Sequence, residues 1–281
     1  MFNRLICQDN LTALQELLEK GYQETIDLCY IDPPFCTQKD FSAYNDKWES
    51  IDHYIDYIQQ RVKLIYLLLK PTGSFYLHCD PTASHYLKVA MDKIFQYKNC
   101  RNEIIWYYTN SGGRGKKRFS KKHDIIFFYS KTDNYTFNGN AVTIPRAVGK
   151  TSRGGVIAFD DDGREYQEIQ SNGKRYRYYF DEGKIPEDVW TIQPIAPHHP
   201  ERTGYPTQKP LILLERIIQA SSNEGDVVLD AFMGSGTTIL AAQKLNRKWI
   251  GIDNNQDAVD LVYERLTKSE VNDKSKVDIL I

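Results

Sequence analysis

Short apolar runs alternate with longer amphipathic segments over most of this chain. Residues 26–31 form a nearly continuous apolar run, which is typical of a parallel strand buried on both faces. An amphipathic segment with four leucines on one face precedes this run. A second amphipathic segment, residues 51–69, is predicted to be a long helix that ends before Pro71 and Gly73. Strands alternating with helices predict an α/β protein.

The alternation continues on both sides of a central interruption. The N-terminal side is predicted to contain a strand at 74–78, a helix at 81–95, and an antiparallel hairpin of the runs 103–108 and 124–129. On the C-terminal side, helices at 210–221, 237–245 and 257–267 alternate with strands at 227–229 and 249–252. Between them the rhythm stops and Gly, Asp, Arg and Tyr become frequent, which predicts an inserted region of strands and loops.

Composition limits the domain count. The chain has 281 residues, of which 41% are hydrophobic and 26% charged, so one large domain with a sizeable insertion is expected. We assign residues 1–130 and 205–268 to the two parts of that domain, residues 131–204 to the insertion, and residues 269–281 to a polar tail without predicted structure.

Cysteine and histidine spacing gives no sign of a metal site. The five cysteines lack C-x-x-C spacing and predict reduced thiols in a cytosolic protein. His198 and His199 are adjacent but have no suitably spaced acid, so a loop role is expected and no metal. No segment has the apolar length of a signal peptide or a membrane span, which predicts a soluble cytoplasmic protein.

Charge is unevenly distributed. The net charge is −1, but residues 110–155 contain ten basic residues against two acidic ones, a local charge of +8. Four of the basic residues lie within five positions and are interleaved with glycine: Arg114, Lys116, Lys117 and Arg118. Such a segment suits an arm that follows a phosphate backbone, although a solvated face is an equal alternative from charge alone.

A glycine-rich loop follows the strand at 227–229. The loop Phe-Met-Gly-Ser-Gly-Thr-Thr, residues 232–238, leads into a helix, and the next strand ends at Asp253. Strand, glycine loop, helix and an acid about 20 residues later are typical of a site for an adenosine-bearing cofactor. No G-K-[ST] follows and position 239 is Ile, so a pyrophosphate ligand is disfavoured. With Asp230 before the loop, S-adenosylmethionine fits better, because its sulfonium and ribose favour carboxylates. A structural tight turn is the alternative.

A second motif closes the strand at 26–31. The tetrapeptide Asp32-Pro33-Pro34-Phe35 lies where a doubly wound sheet places its chemistry. An exocyclic amine of a nucleic-acid base is a poor nucleophile, because its lone pair is delocalised into the ring. The Asp32 carboxylate and a main-chain carbonyl of the proline segment could localise the lone pair by accepting both amine hydrogens. The ring of Phe35 could stack on an extruded base. A capped turn is the alternative for this motif.

Together these segments resemble the β group of amino-type DNA methyltransferases, in which the catalytic motif precedes the glycine motif. Three matching segments occur in the right order: residues 31–35, residues 204–210 (Gly-Tyr-Pro-Thr-Gln-Lys-Pro) and residues 229–238. The resemblance implies the Rossmann-like fold of an S-adenosylmethionine-dependent methyltransferase. Its sheet should have seven strands, and the order of its motifs along the chain should be circularly permuted. It also implies that the insertion recognises the DNA target. Residues near 5 and 253 should then be close in space.

The resemblance also implies residue roles. Asp32 is the catalytic carboxylate in Asp32-Pro33-Pro34-Phe35, and Phe35 stacks on the target base. The expected cofactor ligands are Asp9, Thr207, Lys209, Asp230, Phe232, Gly234, Gly236, Thr237 and Asp253. Among these, Asp9 would bond the adenine amino group, Asp253 the ribose, and Thr207 and Lys209 the carboxylate. From the residues alone, Asp9 could equally cap the helix that begins near Leu11.

The expected activity is site-specific methylation of adenine N6 in a base flipped from double-stranded DNA. Cytosine N4 is the nearest alternative, and Asp at position 32 favours adenine. A protein glutamine methyltransferase is disfavoured by the motif order, and a non-catalytic DNA-binding subunit by the intact motifs. The resemblance leaves open a cognate restriction endonuclease and a homodimer.

Overall fold

A computed structural model gives the fold and describes residues 2–38, 46–109, 117, 119–146, 156–268 and 278–280. The chain divides into two compact units. One comprises Met1–Phe137 together with Asp188–Ile281, and the other Asn138–Glu187. Within the inserted region expected at 131–204, the residues before 138 and after 187 therefore belong to the larger unit.

The element order alternates strands and helices outside the smaller unit. The strands are β1 (Arg4–Cys7), β2 (Ile26–Ile31), β3 (Leu69–Cys79), β4 (Cys100–Tyr107), β5 (His123–Ser130), β6 (Val156–Phe159), β7 (Glu165–Ser171), β8 (Lys174–Tyr179), β9 (Val189–Thr191), β10 (Val227–Asp230), β11 (Lys248–Asp253) and β12 (Asp278–Leu280). The helices are α1 (Asn10–Glu19), α2 (Ile51–Leu68), α3 (Ser84–Phe95), α4 (Leu211–Ser221), α5 (Thr237–Lys244) and α6 (Gln256–Lys268).

The larger unit contains one sheet in the order β12-β1-β11-β10-β2-β3-β5-β4-β9. Strand β5 runs antiparallel to both of its neighbours, and the other adjacent pairs are parallel. The predicted hairpin is thus confirmed as the pair β4 and β5. The inner seven strands match the expected number, and the short strands β9 and β12 extend the sheet to nine within the described part of the chain.

The N-terminal strand β1 lies between two strands from the C-terminal part of the chain, β11 and β12. Strand β1 pairs with β11, with Leu5 opposite Gly251 and Cys7 opposite Asp253. Strand β10, from the end of the chain, pairs with β2 from its start. The expected permuted arrangement, with residues near 5 and 253 adjacent, is therefore confirmed. This pairing brings the first and last motifs to the same edge of one sheet.

Both faces of the sheet are covered by helices. Along β2, Cys29 and Ile31 belong to the apolar cluster that includes residues of α1, α2 and α3, whereas Leu28 and Tyr30 belong to the cluster with α4, α5 and α6. This alternation follows from the two-residue period of a strand. Because both faces are buried, β2 has no exposed position, which explains the nearly continuous apolar run in the sequence.

Two further differences from the sequence-based expectations concern β3 and the tail. Strand β3 begins directly after α2 and includes Pro71 and Gly73, which were expected only to terminate the helix. The tail was expected to have no assignable structure, yet residues 278–280 pair with β1 at the edge of the sheet. A polar tail has too few apolar residues to fold by itself, and pairing with β1 holds residues 278–280 in a strand.

The smaller unit contains a three-stranded antiparallel sheet in the order β6-β7-β8. Its strands are short and largely exposed, consistent with the Gly- and Tyr-rich composition of this region. Arg164 forms ion pairs with Asp181 and Glu182 at one end of the sheet. Within the described residues, no helix is both long and apolar enough to cross a membrane.

Candidate active site

The carboxyl ends of the central parallel strands meet at one cavity of about 400 Å³. This volume falls in the usual range for small-molecule sites, roughly 300–1,000 Å³. Both sequence motifs contribute to its wall, and so does the segment before α4. The predicted site residues that line the cavity are Asp32, Pro33, Pro34, Phe35, Thr207, Lys209, Asp230, Phe232, Gly234, Thr237 and Asp253.

The tetrapeptide Asp32-Pro33-Pro34-Phe35 follows β2 directly, so Asp32 lies at the carboxyl edge of the sheet. One oxygen of its carboxylate, Oδ2, accepts a hydrogen bond from Lys209 Nζ. The other oxygen, Oδ1, is buried and has no hydrogen-bond partner among the described residues. The Phe35 ring lies beneath Lys209 Nζ, 5.3 Å from its centroid. The two oxygens of Asp32 are therefore in different environments. Oδ2 faces the cavity beside the Lys209 ammonium, and Oδ1 lies in the protein interior.

Lys209 is nearly buried, at 7% relative exposure. Its ammonium also donates to the main-chain carbonyl oxygen of Thr207, at 3.1 Å. Thr207 has a φ of 60°, an uncommon conformation for a threonine. A buried ammonium needs a charged partner because its desolvation cost is otherwise uncompensated. The structure therefore places Lys209 against the carboxylate of Asp32, and its contact with the cofactor carboxylate stays a prediction.

The glycine loop connects β10 to α5 and holds two carboxylates. Asp230 Oδ1 accepts from the Phe232 backbone N–H at 3.0 Å, and Asp253 Oδ2 accepts from the Gly234 N–H at 2.8 Å. Burial raises the pKa of Asp230 to about 7, with a further contribution from the nearby negative charges of Asp32 and Asp253. Burial also raises the pKa of Asp253. A bound cation would stabilise the ionised form of these carboxyls.

The close packing of this loop depends on Gly236. Its φ is +74°, and a Cβ atom there would lie 2.3 Å from Val262 Cγ2 of α6. We expect Gly236→Ala to lower the free energy of unfolding by about 2–4 kcal/mol, from backbone strain plus overpacking. Chemical denaturation measures this loss. Gly21→Ala is a matched control, because its φ is +83° but no described atom lies within 4 Å of the added Cβ. Equal losses in both variants would contradict the steric contribution.

Asp9 is the predicted site residue whose surroundings differ most from expectation. Its Oδ1 accepts from the backbone N–H groups of Leu11 and Thr12, at 3.0 and 3.3 Å, so it caps α1. Its Oδ2 lies 3.3 Å from Arg61. The neighbouring Asn10 lines the cavity and donates to the Ala231 carbonyl oxygen. The capping alternative is thus observed, and the contact of Asp9 with the cofactor adenine stays a prediction.

A buried polar network behind Asp32 was not anticipated from the sequence. His78 near the end of β3 lies within hydrogen-bond distance of Tyr30 and Asp124, and Tyr108 donates to Asp124. Two aromatic residues of the cavity wall, Trp48 and Tyr57, were also missed. The sequence offered one signal for this network, which is that His78 and Asp124 each lie at the end of a predicted strand. Their proximity requires the antiparallel pairing of β3 with β5.

Several expectations concern residues away from this cavity. Arg114, Lys116 and Arg118 lie outside the described residues, and Lys117 is exposed. His198 and His199 lie in the turn-rich segment between β9 and α4. Among the described residues, no group of three histidine, cysteine or acidic side chains is arranged to hold a metal ion.

Comparison with known proteins agrees with this geometry. A family model described as DNA methylase matches residues 26–264. The chain is 34% identical over 281 residues to the Type II methyltransferase M.HpaI of Haemophilus parainfluenzae, covering 99% of this chain and 78% of that protein. It is 32% identical over 255 residues to the DNA adenine methyltransferase YhdJ of Escherichia coli K12, covering 90% of this chain and 80% of that protein.

Solved structures show the same fold. The PvuII DNA methyltransferase, described as cytosine-N4-specific, aligns with a TM-score of 0.68 at 19% identity, over 96% of this chain and 88% of that one. Other structures of this fold are complexes with S-adenosylmethionine, which is the cofactor of the family. The buried carboxyl of Asp230 and the closely packed glycine loop fit this cation. By its family match and its motif order, this chain belongs to the N6/N4 DNA methylases, in the β group of amino-type DNA methyltransferases.

Proposed function

We propose that the protein methylates adenine N6 at a specific site in double-stranded DNA, on a base extruded from the helix. One observation carries the proposal: the catalytic tetrapeptide and the glycine loop, about 200 residues apart in sequence, line a single cavity. If either motif were only a structural turn, nothing would require the two motifs to line the same cavity. Extrusion follows because an exocyclic amine inside a duplex cannot reach such a cavity.

The chemistry needs acceptors for the amine hydrogens. When bound, S-adenosylmethionine supplies an electrophilic methyl group. The carboxylate of Asp32 accepts a hydrogen bond from the target amine, which localises the nitrogen lone pair. Phe35 lies beside it and offers a ring face on which the extruded base can stack. Pro33 and Pro34 fix the backbone between these two groups because their φ angles are restricted.

The Lys209 ammonium lies on the cavity side of Asp32, where the amine must approach. We infer that it shifts when the site fills. Its second bond is to a main-chain carbonyl oxygen of Thr207, and the resemblance assigns both residues to the cofactor carboxylate. An ammonium drawn toward that carboxylate would remain paired and would leave Asp32 Oδ2 accessible. This displacement supports a binding order in which the cofactor precedes the base.

Adenine is favoured over cytosine by the aspartate at position 32 and by the adenine-specific relative at 32% identity. Cytosine N4 is the second candidate, because the structural neighbour with a TM-score of 0.68 is described as cytosine-N4-specific. At 19% identity that likeness concerns the fold alone. The DNA path, a cognate restriction endonuclease and a homodimer stay predictions. The exposed Arg- and Tyr-rich strand β8 of the smaller unit suits contact with DNA.

The product identifies the base directly. DNA from cells that express the protein should contain N6-methyladenine when its nucleosides are analysed by mass spectrometry, and methylation-sensitive sequencing should place it at one recurring site. Cells expressing Asp32→Ala are the matched control. N4-methylcytosine in place of N6-methyladenine would select the second candidate. The absence of both from DNA methylated by no other enzyme would overturn the proposal.

The raised pKa of Asp230 predicts a pH dependence of stability. A carboxyl whose pKa is about 7 in the folded protein binds its proton more tightly there than in the unfolded chain. Stability should therefore fall as pH rises from about 4 to about 7. Asp230→Asn stays neutral and should lack this contribution, so the difference in unfolding free energy between the proteins should change over that window. Denaturation at several pH values measures it, and a constant difference would contradict the assignment.

The same residue predicts proton release on cofactor binding. A cationic ligand favours the carboxylate form of Asp230, so below pH 7 binding should release up to about one proton. Calorimetry in two buffers of different ionisation enthalpy counts the protons. The count should fall in Asp230→Asn.

A further inference from the structure

The interior side of Asp32 faces a buried histidine. His78 is fully buried, and its Nδ1 lies 3.7 Å from Asp32 Oδ1. That oxygen has no hydrogen-bond partner among the described residues. Tyr30 contacts the same imidazole nitrogen at 2.8 Å. The rings of Phe35 and Trp106 pack on the imidazole at centroid distances of 5.5 and 5.3 Å. A polar group this deep requires either a structural or a chemical reason.

The opposite side of the ring sets the tautomer. His78 Nε2 lies 3.2 Å from Asp124 Oδ2, and Asp124 Oδ1 accepts from Tyr108 at 3.0 Å. Burial by itself would raise the pKa of Asp124, but the hydrogen bonds and charge of His78, with Lys209 and Tyr108, lower it overall. Asp124 is therefore an acceptor, and the His78 tautomer that fits it carries its hydrogen on Nε2. Burial raises the pKa of Tyr30, so its hydroxyl keeps its hydrogen and donates to Nδ1.

The proposed reaction leaves one proton to be removed. The amine nitrogen forms a bond to the methyl carbon as the carbon–sulfur bond of the cofactor breaks, with the electron pair remaining on sulfur. The nitrogen must then lose one hydrogen as a proton. Asp32, which accepts the hydrogen bond of the amine in the proposed reaction, is the base within reach. On its interior side stands Nδ1 of His78, the ring nitrogen that faces away from Asp124.

We propose that His78 is a positioning residue that takes this proton from Asp32, while Asp124 holds the imidazole in the accepting tautomer. The inference rests on the proposed function. Tyr30 first turns its hydroxyl hydrogen away from Nδ1, which frees the single lone pair of that nitrogen. The proton passes from the amine to Asp32 and then from Oδ1 of Asp32 to Nδ1 of His78, which leaves Asp32 ionised. Asp124 balances the imidazolium charge. The proton returns to solvent as the product leaves.

The 3.7 Å separation is longer than a hydrogen bond by less than about 1 Å, and such distances commonly shorten when a site fills. The arrangement, an acid behind a histidine that faces the reacting group, is the geometry that fixes tautomer and orientation in other enzymes. The groups that face His78 are Tyr30 from β2, Asp32 after it and Asp124 from β5. The charge of Lys209 lies beyond Asp32.

The test uses two variants and one matched control. His78→Gln keeps an amide N–H that can donate to Asp124 but cannot take a proton. Asp124→Asn presents an N–H to Nε2 and should place the imidazole hydrogen on Nδ1. His123→Gln, on the same strand as Asp124, controls for histidine loss nearby. Single-turnover methylation rates are measured in ordinary and in deuterated water, with cofactor affinity and thermal stability measured for each protein.

We expect both site variants to slow single turnover at least tenfold while cofactor affinity stays within a few-fold. The solvent deuterium isotope effect on single turnover should be larger in wild type than in His78→Gln, because only wild type passes the proton on from Asp32. Nitrogen-15 spectra should show the Nε2–H tautomer for His78 and a change to Nδ1–H in Asp124→Asn. His123→Gln should resemble wild type.

The outcomes separate this proposal from the function on which it rests. If wild type methylates no DNA, the proposed function fails, and the spectra still report the tautomer. If wild type methylates DNA and His78→Gln keeps its rate and its solvent isotope effect, the proton transfer is overturned. A slower His78→Gln that keeps the wild-type isotope effect would show a structural role only, and would also overturn it. An Nδ1–H tautomer in wild type would contradict the role of Asp124.

Discussion

Replacing Asp32 by alanine is expected to slow methyl transfer by about 10²- to 10⁴-fold, the usual contribution of a positioned acid–base group. Cofactor affinity should stay within a few-fold of wild type, because the cofactor is expected to contact Asp230 and Asp253 at other strand ends. Single-turnover rates and calorimetry with S-adenosylmethionine measure the two quantities on the same preparations.

Stability must be controlled in this experiment because Asp32 is the partner of a nearly buried lysine. Removing one member of such a pair leaves an uncompensated charge, so Asp32→Ala should melt at a lower temperature than wild type. Asp32→Asn is the matched variant, since its amide oxygen still accepts from Lys209. It also offers the amine one acceptor oxygen, and its rate should lie between those of wild type and Asp32→Ala. Loss of cofactor affinity in Asp32→Ala without loss of rate would reverse the assignment.

Replacing Asp253 by alanine should instead weaken cofactor binding by about 100-fold. Hydrogen bonds to charged groups contribute roughly 1.5–3 kcal/mol each, and about 2.7 kcal/mol corresponds to that factor. Asp253 ends β11, lines the cavity and is expected to bind the two ribose hydroxyls. Its carboxylate also holds the Gly234 N–H, so the glycine loop should loosen when it is removed.

Calorimetry with the cofactor checks this, with Asp253→Asn as the variant that keeps an acceptor for Gly234. The asparagine variant should retain more affinity than the alanine variant, since the loop remains anchored. Thermal melting in the absence of cofactor verifies that both are folded. Undiminished affinity in Asp253→Ala would place the ribose elsewhere along the cavity. Asp32→Ala serves as the internal comparison, because its loss should be in rate rather than in affinity.

The order of the parallel strands explains why the residues replaced in these variants form one site. Asp32, Asp230 and Asp253 each follow or end a neighbouring strand, and the carboxyl ends of parallel strands share one edge of the sheet. Burial raises the pKa values of both Asp230 and Asp253, and the negative charges of Asp32 and Asp253 add to the shift of Asp230. Lys209 provides a compensating positive charge, and a cationic cofactor would provide another. The cavity is thus suited to a ligand that carries positive charge near its reactive atom.

Local sequence determined most of the elements and both motifs. The period of apolar residues is a property of each segment, so strands such as β2 and helices such as α2 could be assigned before any packing was known. Glycine at 236 acts through its freedom to adopt a positive φ, and proline at 33 and 34 through its restricted φ. Even the permuted pairing of β1 with β11 followed from motif order, because the last strands needed neighbours that only the N-terminal segment could supply.

The tertiary structure alone decided which side chains meet. Lys209 pairs with Asp32 across 177 residues, and His78 lies between Tyr30 and Asp124, which come from two different strands. No spacing in the sequence encodes these contacts, because they depend on strand order and on which face each residue presents. Asp9 illustrates both cases. Its capping bonds to α1 could be predicted from the local sequence, whereas its ion pair with Arg61 could not. Short-range periodicity fixes elements, whereas polar contacts between distant segments depend on the packing of the whole sheet.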